Sequence, residues 1–159
     1  MTVVRRILAM MLLALGATAH AGDSTLPPVR TGALLRWLAD GTYRATYTPD
    51  PAVRESMTAH GMHVRSWYSP VLVANLTDRV ERFDRGAAMV KELYFEGTEQ
   101  VVGWSVMRKV RRRSAGGRGW FFFETFDGVR PLARGRNVGV CVGCHRDGTD
   151  FLLSTFRPE

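Results

Sequence analysis

Cys141-Val142-Gly143-Cys144-His145 ends only fourteen residues short of the last residue of a 159-residue chain, and this CxxCH restricts the fold more than any other feature. Two thiols three positions apart can each add across a vinyl group of haem, which ties one porphyrin edge down through two thioethers. The next residue, His145, then lies under the ring and can donate an imidazole nitrogen to iron. The same residues allow blander chemistry. A redox dithiol usually follows a strand within a βαβ pattern, and the sequence has no such pattern. Structural zinc needs four ligands, and beyond the two cysteines they would have to come from His60 and His63, far upstream and unlike a zinc knuckle. A Cys141–Cys144 disulfide would leave His145 without a role. The expected cofactor is one haem c, with Cys141 and Cys144 as attachment points and His145 as the iron ligand.

The position of the motif bears on the fold. Class I cytochromes c carry CxxCH near the N-terminus and an axial Met far downstream, whereas no Met follows His145. Helical cytochromes c′ carry it near the C-terminus but need four long helical patterns, which this chain lacks. A β-rich domain holding its haem at the C-terminal end is left. The rest of the sequence agrees. Thr31 can cap a helix running to Asp40, with Leu34, Leu35 and Leu38 on one face and Gly41 as its stop. Asp50 as N-cap, Pro51 as first residue and Gly61 beyond the end predict a second helix. Ser69-Pro70 begins a third, over 71–76. Strands are predicted at 62–68, 87–95, 101–110 and 119–126. Gly97 suits a tight connection and Ser114-Ala115-Gly116-Gly117 a longer hairpin loop. The Gly- and Arg-rich stretch 127–140 is expected to be irregular. The predicted class is α+β: a mostly antiparallel β-sheet with a few short helices.

The N-terminus reads as an export signal. Arg5 and Arg6 precede an apolar run at 7–15, and Ala19-His20-Ala21 forms an A-x-A-like cleavage site; a short amphipathic helix is the alternative. Cleavage after Ala21 would leave 22–159 as a single domain large enough for a real core. The apolar run is too short to span a bilayer, and no later segment is apolar enough to cross one. Haem attachment to CxxCH in bacteria takes place outside the cytoplasm, so the two ends of the chain together predict a periplasmic protein. The formal net charge of +7 is concentrated in Arg108-Lys109-Val110-Arg111-Arg112-Arg113, with Arg118 close behind. Such a cluster could speed encounter with an acidic redox partner protein or an anionic surface, or it could be a solvated hairpin tip. Nucleic acid is a poor match for an exported protein.

Strand alternation at 87–95 places Ala87, Met89, Lys91, Leu93 and Phe95 on one face, and Ala88, Val90, Glu92 and Tyr94 on the other. Lys91 is then the only charge on the more apolar face. A buried ammonium needs a partner, which a haem propionate, a carboxylate or the porphyrin could supply. An edge strand with the lysine stem lying along the surface is the competing reading.

Several runs together resemble the cytochrome P-460 and cytochrome c′-beta family, over most of the chain from residue 64 onward. They are Val64-Arg65-Ser66-Trp67-Tyr68, Phe83-Asp84-Arg85-Gly86, Val90-Lys91-Glu92-Leu93, Gly103-Trp104-Ser105-Val106-Met107 and Trp120-Phe121-Phe122-Phe123-Glu124. The terminal CxxCH followed by Asp150-Phe151 completes the set. The resemblance implies a mostly antiparallel β fold, often dimeric, enclosing a c-haem whose proximal ligand is the CxxCH histidine. In the P-460 branch a lysine of the VKE strand is bonded to the porphyrin and hydroxylamine is oxidised; Lys91 matches that lysine. In the c′-beta branch an apolar distal pocket binds nitric oxide or carbon monoxide without the crosslink.

The P-460 enzymes also place a carboxylate over the iron, from just after the haem motif. Asp147 and Asp150 are the nearby acids, although Arg146-Asp147-Gly148 also reads as a turn. Phe121, Phe122, Phe123 and Phe126 could instead cap an apolar pocket, with Phe121 and Phe123 on one face and Trp120, Phe122 and Phe126 on the other. His60, His63, Met57, Met62, Met89 and Met107 are candidate sixth ligands, each equally explicable by packing or exposure. Arg85 is a candidate propionate partner through a charge-assisted pair. The function expected is that of a periplasmic monohaem c-type cytochrome with a redox role, by electron transfer, by binding nitric oxide or a similar ligand, or both. The alternative is a hydroxylamine-oxidising enzyme with a lysine–porphyrin crosslink.

Overall fold

The computed structural model describes residues 25–158, apart from Met57, Met62 and Gly97. The expected leader at 1–21, its cleavage site and those three residues lie outside the described set. The strands are β1 (Thr48–Pro49), β2 (Arg54–Glu55), β3 (His63–Tyr68), β4 (Ala88–Tyr94), β5 (Val101–Lys109), β6 (Trp120–Thr125) and β7 (Ala133–Arg136). They form one antiparallel sheet in the order β1-β3-β4-β5-β6-β7, with β2 also pairing with β3. Three short helices, α1 (Thr31–Ala39), α2 (Pro70–Thr77) and α3 (Gly139–His145), complete the α+β fold.

Both faces of the sheet are covered, which is why β4 and β6 are buried almost without interruption. On one face α1 and the following 3-10 turn bring Leu34, Trp37, Leu38 and Tyr43 against Trp67, Val90, Phe121 and Phe123. On the other, α2, α3 and the C-terminal segment pack on Tyr68, Met89, Met107, Trp120 and Phe122. The alternation in the aromatic strand thus distributes its side chains as predicted, and each fully buried Phe contributes about 1.5–3 kcal/mol. Phe126 is the exception, 43% exposed beyond the strand end. Among the described residues no helix is long and apolar enough to cross a membrane.

The four long strands and α2 form where the alternation and the Ser69-Pro70 punctuation place them. Ser69 Oγ accepts from Leu72 N (3.2 Å), the N-cap bond, and from Ala88 N (2.9 Å), which ties the helix start to β4. Three expectations need correction. α1 is present, but Arg30 rather than Thr31 holds its N-cap position. No helix follows Asp50. Its carboxylate accepts from Ser66 N and Tyr68 OH (both 3.1 Å) and its own N–H donates to Ser66 O (2.7 Å), so it is committed to β3 instead of capping the residues after it. Finally, 127–140 is not wholly irregular. β7 pairs with β6 from Phe121↔Arg136 to Glu124↔Ala133, a ladder that overrides the weak strand propensity of Ala-Arg-Gly-Arg.

Candidate functional site

α3 carries the CxxCH. Positions three and four apart share one helix face, so Cys141, Cys144 and His145 project from the same side of the last turns. The helix is held close to the sheet by the β5–β6 loop: a Cβ on Gly117 would lie 2.5 Å from Val142 Cγ2, so only glycine fits there. Both thiols are free, Cys141 half-buried and Cys144 exposed. Burial, helped by Glu124, pushes the Cys141 thiol up. Among the described residues no group of three or more His, Cys, Asp or Glu side chains is placed to hold a metal ion.

His145 is 5% exposed, and its Nδ1 donates to the carbonyl of Phe151 (2.9 Å). A carbonyl can only accept, so the proton sits on Nδ1 and the Nε2 lone pair is left free. Burial pulls the imidazole below its ordinary value; the Phe151 bond opposes this, while His60 and Lys91 add to it. The result is a neutral, oriented imidazole, the form in which histidine binds a metal.

The Phe151 carbonyl is aimed by two consecutive left-handed residues, Asp150 (φ 46°) and Phe151 (φ 71°). Each such conformation costs about 1–2 kcal/mol for a residue with a Cβ. A clamp holds them in place. The Asp150 carboxylate accepts from Phe83 N (2.8 Å), from Ser114 Oγ and from the fully buried Lys109 ammonium. Burial pulls Lys109 below the ordinary lysine value despite this pairing. Asp150, expected as an acid near the iron, is thus occupied in positioning the acceptor for His145.

Beside α3 lies a cavity of about 570 Å3, bordered by Cys144, His145, Lys91, His60, Arg54 and Leu153 among others. This lies within the range of about 300–1,000 Å3 usual for cofactor and small-molecule sites. Lys91 enters it from β4, a central strand between β3 and β5, so the edge-strand reading fails. It is only 8% exposed, and no hydrogen bond or ion pair holds its ammonium among the described residues. Burial first, and Arg54 second, lower its pKa to about 8, with Glu124 and Asp50 pulling the other way. Lys91, Ser105 and Glu124 occupy one row across β4, β5 and β6, and so share a face. Glu124 Oε1 lies 2.6 Å from His60 Nδ1. The His60 ring in turn lies 5.9 Å from that of His145, at 64°. Phe122 is also 5.9 Å from the His145 ring.

The remaining candidates lie elsewhere. Arg85 and Asp147 are exposed and do not border the cavity. His63 alternates onto the Trp67 face of β3, away from the cavity, and its buried Nδ1 has no hydrogen-bond partner. Met89 and Met107 are packed in the core. Arg111, Arg112 and Arg113 are exposed in the loop beside α3. Glu124 was not singled out from sequence. The signal was available, because Trp120, Phe122 and Glu124 alternate onto one face and Glu124 is its only charge, the argument that identifies Lys91.

The donor set suits a c-type haem: two thiols and an oriented imidazole on one helix face, beside a cavity into which an unpartnered cation projects. No family model matches this chain, and no curated protein sequence matches it.

Proposed function

We propose that this chain is a periplasmic monohaem c-type cytochrome of the P-460 and c′-beta kind, with a redox role. The observation that carries the proposal is His145, whose Nδ1 is tied to Phe151 O while the imidazole faces a cavity shared with Cys144 and Lys91. Cys141 and Cys144 would hold the porphyrin through thioethers, and His145 would supply an imidazole nitrogen to its iron. The haem, once bound, supplies a one-electron couple and a site for small ligands such as nitric oxide. The protein excludes water on the core side with Met107, Trp120 and Phe122, and fixes the ligand tautomer through Phe151. Lys91 would be placed to meet a propionate of the bound group, a partner that no described residue gives its ammonium by hydrogen bond or ion pair. The Arg111–Arg113 loop beside α3 suits docking of an acidic redox partner.

One observation favours the second reading, hydroxylamine oxidation with a lysine–porphyrin bond. Lys91 is unpartnered and, with a pKa of about 8, carries a sizeable neutral fraction at mildly alkaline pH. The two readings separate on the reduced optical spectrum of protein matured in a periplasm with active haem ligation. A normal c-type spectrum with reversible one-electron reduction supports the cytochrome. An anomalous red-shifted band that disappears in Lys91→Arg supports the crosslinked enzyme. A haem that cannot be reduced reversibly and does not turn over hydroxylamine contradicts both.

A further inference from the structure

We infer that the cleft between Arg82 and Arg113 is a seat for a carboxylate of an acidic protein partner, built on the two loops that Asp150 ties together. The inference goes beyond the haem reading above and does not depend on it, because binding is expected whether or not haem is attached.

The cleft, of about 520 Å3, is bordered by Glu81, Arg82, Arg113, Ser114 and Asp150 among others, and shares no bordering residue with the cavity beside α3. Its two sides come from separate segments, the α2–β4 loop at 78–87 and the β5–β6 loop at 110–119. Asp150 joins them. Its carboxylate accepts from Phe83 N (2.8 Å), next to Arg82, and from Ser114 Oγ, next to Arg113. The fully buried Lys109 ammonium pairs with the same carboxylate and balances its charge. The backbone on both sides is therefore held before a ligand arrives, which cuts the ordering cost of binding.

The walls carry the charge. Arg82 and Arg113 are exposed, and neither guanidinium has an ion pair or hydrogen bond among the described residues. Glu81 is the acid set against them at the rim, while Arg111 and Arg112 continue the positive charge along the loop. Burial does most to lower the Lys109 pKa, and Arg82 adds to the effect, so the Arg82 charge is felt at the floor of the cleft. A guanidinium presents a planar fork of donors from which one carboxylate can accept two bonds. An extended acidic surface fits better than a lone ion, because the arginines run on beyond the seat. A membrane fits poorly, since among the described residues no large exposed apolar side chain lies in either loop. The β5–β6 loop also packs on α3 through Gly117 and Val142, so an occupant would sit beside the helix that carries the two thiols.

The test uses the exported full chain, with a synthetic hexaglutamate peptide as the probe, titrated calorimetrically at low salt. Arg82→Gln combined with Arg113→Gln is expected to weaken binding about tenfold, in keeping with the loss of two exposed charge pairs. Arg36→Gln combined with Arg130→Gln removes the same charge from exposed positions elsewhere, and should change the affinity less than about twofold. Each cleft arginine changed alone should give part of the loss, which keeps the test open should the double variant fold poorly. Equal losses in the two double variants overturn the inference, because they show a diffuse field in place of a seat. So does peptide binding no tighter than that of inorganic phosphate, the behaviour of a site for free anions. Binding to phosphatidylglycerol vesicles that the cleft variant loses, with no binding of the peptide, overturns it in favour of a membrane. A wild type that binds no peptide overturns it with the haem reading intact, and a chain that binds the peptide but takes up no haem overturns only the haem reading.

Discussion

Lys91 and Glu92 are adjacent on β4 and point to opposite faces of the sheet, and their charges are treated in opposite ways. Glu92 is completely buried and fully served. It accepts hydrogen bonds from Tyr43 OH, Arg44 Nε (2.8 Å), Trp67 Nε1 (2.8 Å) and Tyr94 OH (2.6 Å). Burial pushes its carboxyl up, but the bonds from Tyr43, Tyr94, Trp67 and Arg44 outweigh this and hold it below the ordinary carboxylate value. Lys91, one residue away, is nearly as buried and has no such partner. A charge removed from water without a partner costs stability. Glu92 is matched as it stands, whereas Lys91 is an unmatched cation at a cavity. Structural and functional charge can therefore be told apart by what surrounds each, even at neighbouring positions in one strand.

Breaking the matched charge should have the largest effect. Glu92→Leu leaves Tyr43, Trp67 and Tyr94 with buried donors and Arg44 without its ion pair. It should cost about 5 kcal/mol in denaturant unfolding, at the top of the range for breaking a buried pair. A loss under about 1 kcal/mol, within the scatter of ordinary surface substitutions, would show that the network is dispensable. Asp150→Asn should follow, at about 3 kcal/mol, because Lys109 stays buried with its charge uncompensated. It should also loosen the Phe151 carbonyl and lower haem retention; unchanged stability would contradict the clamp.

Lys91 should behave in the opposite sense. In haem-free protein, Lys91→Met should stabilise by about 3 kcal/mol at pH 7, the equivalent of a lysine lowered from 10.5 to about 8. Below pH 8 both folded and unfolded wild-type chains are protonated and the penalty is full. Between about 8 and 10.5 the folded chain releases its proton while the unfolded chain keeps it, so wild-type stability rises with pH and the gap to the variant closes. Urea titrations across pH 7–10.5 would check this; a gap that stays constant would contradict it.

The contrast also explains what could be read from the sequence. The four long strands and α2 follow from alternation and from Ser69-Pro70, both local signals. Lys91 could be identified because alternation alone puts it among apolar residues. What could not be read depends on distant partners. Asp50-Pro51 resembles a helix start, but Ser66 and Tyr68 claim the carboxylate. The Gly–Arg stretch becomes β7 only because β6 offers an open edge. Asp150 looked like a pocket acid because it follows the CxxCH, yet Lys109, buried on β5, takes it as a counter-ion. The convergence of His60, Glu124 and Lys91 depends on strand register and the placement of one loop, and no local pattern records it.

The most direct test of the central claim is the mass of the tryptic peptide spanning 137–146, taken from protein exported through a periplasm with active haem ligation. This peptide contains Cys141, Cys144 and His145. The expected result is one haem added intact across both thiols, with the adduct absent after Cys141→Ser and Cys144→Ser are combined. Recovery of the unmodified peptide, from a correctly exported chain under conditions that load a control cytochrome, would contradict the assignment.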